Sequence, residues 1–425
     1  MKIKTLVLCL LLFYASQAFS PAFSKDKYVP LDLAIEHNNK GVSFLAKDDL
    51  DRAEVEFKTA VELDPKYPDA HNNLGLIYKY KGHFEEAEKM LKKAIDLKPK
   101  WATPYNHLGT VYLAENELKK AEGSILKATS LDKKYADAYY NLGVVYLEMA
   151  KSAKDPKPDW KKAVSAFQKA TTIATHLFHA HMDLADTYRK LGDLEKAVLR
   201  YRLAIETNPK DPTAWQHLGE LYTQTGDTQK AAECFERAHL AAPMSEQTLL
   251  ALAETRIKEK KYEEALNFLN RTLEMNPRNP MAHFDVGFAY ASQGQYPAAI
   301  QAYQKAIELR PNFFAAFFNR GIAFKNLNDL QGAIPSFQQA LRLKVNHPES
   351  LYELAGLYER ALNLSGAREA YCRFLAVTKG HLKEEVAKAR EATARMGGCG
   401  RKAPLVPETM PETIPQTLPQ NPSEN

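Results

Sequence analysis

The feature that most constrains this chain is a 34-residue period. Stepping by 34 from Gly41 gives Gly75, Gly109 and Gly143; after eight extra residues the step resumes through Ala185, Gly219, Ala253, Gly287, Gly321 and Ala355. All ten places hold a small residue. Twelve residues beyond each, allowing for the extra residues in the fourth unit, stand ten alanines running from Ala53 and Ala87 through Ala163 to Ala333 and Ala367. Seven further on the place is alanine again, except for Thr272 and Phe374. A period of this length marks stacked units, none of which can bury its apolar side alone. A small residue at a fixed place on one helix lets a second helix approach closely. Larger residues fill the space around that contact, among them Phe44, Tyr78, Tyr112 and Tyr146 on first helices and Phe57, Phe167, Tyr303 and Phe337 on second helices. Pro65, Pro99, Pro209, Pro243, Pro277 and Pro311 close the second helices, because proline cannot continue a helix but can follow one.

These places resemble the tetratricopeptide repeat (TPR). In the second unit the family's Leu-Gly, Tyr, Ala, Phe, Ala and Pro places are Leu74-Gly75, Tyr78, Ala87, Leu91, Ala94 and Pro99. The resemblance implies an all-α, right-handed superhelical solenoid of about ten helical hairpins over residues 34–381. Four units depart at the closing proline (Lys133, Thr175, Val345, Lys379), and the seventh has Arg256 in the Tyr place. Residues 382–396 read as a capping helix, with Leu382, Val386 and Ala389 on one side, as the end of a repeat stack requires. An insertion at about 148–160, rich in Lys and holding Trp160, is expected to lengthen the turn of the fourth hairpin. Residues 397–425 repeat a four-residue motif from Pro407, Pro411 and Pro415 and read as an extended, mobile tail.

Composition narrows the function. Of 425 residues, 45% are apolar and 26% charged, which rules out wholesale disorder and a multi-spanning membrane protein. A net charge of +5 gives no reason to invoke nucleic acid as a partner. Four cysteines are too few for a disulfide framework. At the N-terminus, Lys2 and Lys4 precede an apolar run from Leu6 to Ala15 and the small residues Ser16 and Ala18, which reads as a secretory signal. Cleavage is expected after Ala18, with residue 24 as the outer limit, leaving 19–33 as a lead-in. The run is about ten residues where a membrane span needs roughly 20, so no stable span is expected after cleavage, and an uncleaved inner-membrane anchor is the less favoured reading. The expected location is the periplasm or outside the cell.

No catalytic constellation stands out, and the reading is of a non-enzymatic protein with no cofactor and no metal. His176, His179 and His181 cluster, but His181 occupies a packing place and the other two flank a turn. Cys234 and Cys372 lie four repeats apart, too far to bridge; a Cys372–Cys399 link is conceivable, and an odd thiol left over is the simpler reading.

In the family, first helices line the inner groove and their exposed residues meet ligands. Two places before the small residue stand Asn39, Asn73, Asn141 and Asn319, with His107, Asp183, His217, Ala251, Asp285 and Glu353 in the other units. This resembles an asparagine ladder that grips the backbone of an extended peptide, since an amide both donates and accepts. The competing explanation is that asparagine there serves repeat stability. A second candidate is apolar: Met281, Phe284, Phe288, Phe318 and Ile322 should face the same groove as anchors for a partner segment. The alternatives are that the stack buries this patch against itself or that the tail folds onto it. Between these zones Asp183, Asp186, Arg189, Lys190, Glu220, Glu254 and Lys258 present mixed charge suited to setting register. The expected function is a protein-binding scaffold or assembly factor that holds peptide segments of other proteins in cell-envelope biogenesis, such as pilus, secretion or polysaccharide-export machinery. The alternative is an accessory module that recruits an enzyme, such as a glycosyltransferase or a protein-processing complex.

Overall fold

The structure, a computed structural model, describes residues 28–378 and 382–399. The signal segment, most of the lead-in and the tail from residue 400 lie outside the described residues. The chain divides into two units, at Thr225 and Gly226. The described residues hold twenty-one helices and no strand. In the first unit α1 (Asp32–Leu45) pairs with α2 (Leu50–Leu63), α3 (Pro68–Lys81) with α4 (Phe84–Leu97), and α5 (Ala102–Ala114) with α6 (Leu118–Leu131). The pairs α7 (Ala136–Ser152) with α8 (Lys157–Ile173) and α9 (Phe178–Leu191) with α10 (Leu194–Thr207) follow, then α11 (Pro212–Thr225). The second unit opens with α12 (Thr228–Ala241). It continues with α13 (Glu246–Lys258) and α14 (Tyr262–Met275), α15 (Pro280–Ser292) and α16 (Tyr296–Leu309), and α17 (Phe314–Asn326) and α18 (Leu330–Leu343). It ends with α19 (Pro348–Arg360), α20 (Leu364–Val377) and α21 (Lys383–Arg395).

The periodic small residues do what their spacing implies. A Cβ added at Gly41 would sit 2.6 Å from the Phe57 ring, at Gly143 2.4 Å from the Phe167 ring, and at Gly287 2.7 Å from the Tyr303 ring. Gly75 and Gly109 meet Leu91 and Ile125 in the same way. Each glycine is therefore the floor of a hole filled by the large residue sixteen places on (twenty-four in the longer fourth hairpin). The rings in those holes, Phe57, Phe167, Tyr303 and Phe337, are at most 1% exposed. Within each unit the second helix of a hairpin also packs on the first helix of the next, and successive first helices touch, as α1 with α3 and α13 with α15.

Hydrogen bonds reinforce the stacking. Near the start of several first helices a ring donates to a carbonyl six residues back, at the end of the preceding second helix: His71 Nε2 to Pro65 O (2.9 Å), Tyr105 OH to Pro99 O (3.2 Å), His181 Nε2 to Thr175 O (3.0 Å) and His283 Nε2 to Pro277 O (3.0 Å). A carbonyl can only accept, so each of these imidazoles carries its proton on Nε2. The closing prolines mark the helix ends without causing them. Second helices that lack the proline stop at the equivalent place, with Asp132, Ala174 and Lys344 as their last capping residues.

The insertion in the fourth hairpin departs from expectation. Most of it extends the helices: α7 and α8 have 17 residues each where α9 and α10 have 14, and the turn between them is residues 153–156. Lys157–Lys162 continue the helical pattern of α8, and Pro158 is tolerated because it lies in the first turn, where no backbone N–H is needed. The C-terminal cap packs Ala389 and Ala392 of α21 against the cluster holding Leu351, Leu354 and Phe374. A disulfide between Cys372 and Cys399, with Cα atoms 5.6 Å apart, fastens the segment after α21 to α20. The odd thiol read from the sequence is Cys234, buried in α12. Among the described residues no helix is long and apolar enough to cross a membrane.

Candidate peptide-binding surface

The candidate residues lie on first helices, and the structure separates those engaged within the array from those left available. In the first unit the amide places are cross-bonded between neighbouring repeats. Asn73 Nδ2 donates to Asn38 Oδ1 (2.9 Å) and Asn141 Nδ2 donates to Asn106 Oδ1 (3.0 Å). His107 Nδ1 pairs with Asn72 Oδ1 at 2.9 Å, while Asn72 Nδ2 donates to Asn73 Oδ1 at 3.2 Å. Asn106 Nδ2 in turn donates to the Tyr135 hydroxyl (3.3 Å). Each amide so placed satisfies a polar group that the stacking would otherwise bury unpaired. Asn73 has both its oxygen and its amino group committed, so its part in gripping a peptide backbone is reduced to its remaining bonding capacity. Asn141 keeps its carbonyl oxygen uncommitted. Asn39 is exposed, and Asn319 is half-buried.

The apolar candidates in the second unit are also largely used for packing. Phe284 lies between the Tyr303 and Phe313 rings, at 5.6 and 5.0 Å. Phe318 packs on Phe337 and His347, at 5.6 and 5.4 Å, and Ile322 joins the same core. Met281 is half-buried, with its sulfur 3.7 Å from Arg310 Nη1. The five therefore do not form one open patch, because rings from the paired second helix (Tyr303, Phe337) and from the loop before the next first helix (Phe313, His347) pack on Phe284 and Phe318. Phe288 is the member that stays open, at 38% exposure.

Cross-repeat pairing also organises the charged zone of the first unit. His217 Nδ1 lies 3.2 Å from Asp186 Oδ1, Arg189 Nη1 lies 3.4 Å from Glu220, and the Tyr140 hydroxyl donates to Asp183 at 3.0 Å. The hydrogen bond to Asp186 holds the His217 pKa up, while burial pushes Asp183 up to about 6. Lys79 Nζ donates to Thr110 Oγ1 (3.3 Å) beside the Tyr80 ring; burial pushes it down to about 8, and burial with the Lys79 charge pushes His107 down to about 3. The part of Lys79 in this surface escaped sequence reading; its 31-residue separation from Thr110, the one that also joins Asp186 to His217, is the signal that points to it.

Among the described residues no three His, Cys, Asp or Glu side chains gather to hold a metal ion. His181 is engaged in the carbonyl contact already described, and burial lowers its pKa.

Tetratricopeptide repeat family models match residues 41–82, 68–100, 102–135 and 302–334. The chain is built of tetratricopeptide repeats. A further family model, the TPR domain of cytochrome c-type biogenesis protein H, matches residues 163–312. Among solved structures, these repeats are similar to those of yeast Tom70 (13% identity, 86% of this chain and 96% of that chain, TM-score 0.40). They are also similar to pilF of Pseudomonas aeruginosa (20% identity, 53% and 98%, TM-score 0.45). A third is YrrB, described as a TPR protein with an unusual peptide-binding site (23% identity, 44% and 97%, TM-score 0.40). Comparison with curated proteins finds no match.

Proposed function

We propose that this TPR protein is a non-enzymatic scaffold that holds segments of other proteins against its first helices and serves assembly in the cell envelope, in the periplasm or outside the cell. The observation that carries the binding role is the first-helix face of the second unit, where Phe288 stays open on α15. An exposed aromatic on such a face is the kind of residue on which interface energy concentrates. The match of residues 163–312 to the TPR domain of a cytochrome c-type biogenesis protein supports an assembly role. The Cys372–Cys399 bridge supports export, because disulfides persist in oxidising compartments.

The test is site-specific photo-crosslinking in living cells from a probe at Phe288, with a probe on the outer side of a second helix, at Glu263, as control. Discrete protein adducts from the first site, absent from the second, are expected. Equal or absent crosslinking from both sites would overturn the binding role. Adducts to cytoplasmic proteins alone would overturn the envelope assignment.

A further inference from the structure

Charged and polar residues of the first helices pair across repeats at several places among the described residues. At a separation of 31 residues Lys79 meets Thr110, Asp186 meets His217 and Arg189 meets Glu220; at 28 residues Lys325 meets Glu353 at 2.7 Å. Each pairing joins a cation, or a group that can become one, to an acceptor. The same 31-residue register relates Glu254 of α13 to Asp285 of α15, two helices in contact, and here both residues are carboxylates whose charges act on each other. Among the described residues Asp285 is 8% exposed, makes no hydrogen bond, and has its Oδ2 buried without a partner. Glu254 is exposed and forms no ion pair among the described residues. Burial, and then the Glu254 charge, push the Asp285 carboxyl up to about 7.

A buried acceptor with nothing to accept from is costly, and native structures rarely keep one without a reason. Burial raises the Tyr303 pKa, and its hydroxyl lies near enough for the Asp285 charge to raise it further, but it leaves Asp285 Oδ2 without a hydrogen bond among the described residues. Ala251, the residue of α13 at the Asn place, has no donor to offer, and Lys258, one turn beyond Glu254, extends into solvent without pairing with it. One turn along α15 on the same face is Phe288, the open aromatic. We infer that Asp285 and Glu254 form a receptor for the cationic side chain of a bound protein segment, a Lys or Arg whose neighbouring apolar residue lies on Phe288. A cation there would meet two acceptors at once and supply the charge that the array supplies at its other cross-repeat pairs. An arginine or lysine stem also has the apolar length to lie along the Phe288 ring. The inference rests on the binding role proposed above and specifies the chemistry of the partner.

The test is selection of random displayed peptides of about 12 residues on the immobilised full chain, run in parallel on the wild type and on a Glu254→Gln/Asp285→Asn variant. Peptides enriched by the wild type should carry a Lys or Arg within two positions of an aliphatic or aromatic residue, and the variant should enrich no such excess. A selected peptide should lose about 30-fold or more in affinity when its basic residue is replaced by acetyl-lysine or citrulline, and the loss should disappear on the variant. Enrichment of peptides without a basic excess by the wild type would overturn this inference and leave the scaffold reading standing. Enrichment of no peptide by either protein would remove the peptide-binding role and the inference with it. Thermal unfolding of the variant separates loss of the receptor from loss of the fold, because the substitution relieves two facing charges and is expected to leave the midpoint unchanged or higher.

Discussion

At the scale of single residues, the array is consistent where it packs and inconsistent at Asp285. The carboxyl of Asp285 titrates near 7 in the folded chain because burial disfavours its charge, against about 4 for an unfolded aspartate. The folded state therefore binds more protons than the unfolded state between those values, and stability falls as pH rises from about 4 to about 7. Above pH 7 the folded chain carries the full cost of a buried charge. We expect Asp285→Asn to be more stable than the wild type at pH 8, by on the order of 1–4 kcal/mol, and the difference to vanish near pH 4. Denaturant titrations of both proteins at the two pH values check this; a variant less stable at pH 8 would mean that the carboxylate has a favourable partner after all. The sequence gives no hint of this misfit on Asp285 alone. It becomes visible only when the residue is set beside Glu254, one repeat away in space and 31 residues away in the chain.

At the scale of helices, the contact between a glycine and a ring fixes how closely a hairpin closes. Gly143 of α7 leaves room for Phe167 of α8, and an added Cβ would fall 2.4 Å from the ring. Gly143→Ala should therefore cost about 1–3 kcal/mol through overpacking. The seventh hairpin suggests the remedy, since it buries Ala253 with Leu269 in one cluster. Combining Gly143→Ala with Phe167→Leu should cost less than the sum of the two single changes, and a double-mutant cycle by urea unfolding measures the difference. Much of this level is legible in the sequence, because a constant spacing of small and large residues survives translation into packing without knowledge of any partner. What the pattern does not carry is the destination of side chains that reach the next repeat. Phe284 and Phe318 read as open anchors because their repeat positions face the groove, yet Phe313 and His347 come from the following loop to cover them. Asn73 and Asn141 read as available amides for the same reason. The helical extension around Lys157 was hidden by its two prolines, which suggest a loop but here occupy the start of a helix.

At the scale of the molecule, each hairpin within a unit packs on its neighbours, so perturbations should stay local. The Cys372–Cys399 bridge closes a loop over the cap, its ends separated by 27 positions in sequence. Cys399→Ser should weaken the last hairpin by about 3 kcal/mol through the freed chain entropy. Hydrogen exchange should show faster opening of α19–α21 and unchanged protection in the first unit; uniform loss of protection would contradict the neighbour-only picture. The ring-to-carbonyl contacts between successive hairpins carry a different consequence. Tyr105 makes one such contact through its hydroxyl, whereas His71 and His181 make theirs with imidazoles whose pKa values burial lowers below 6.5. Their contribution is intact above pH 6.5 and is lost as acidity rises through their folded values, when the buried ring must take a second proton. Acid should thus loosen this stack at the joints that His71 and His181 make, between the first and second hairpins and between the fourth and fifth.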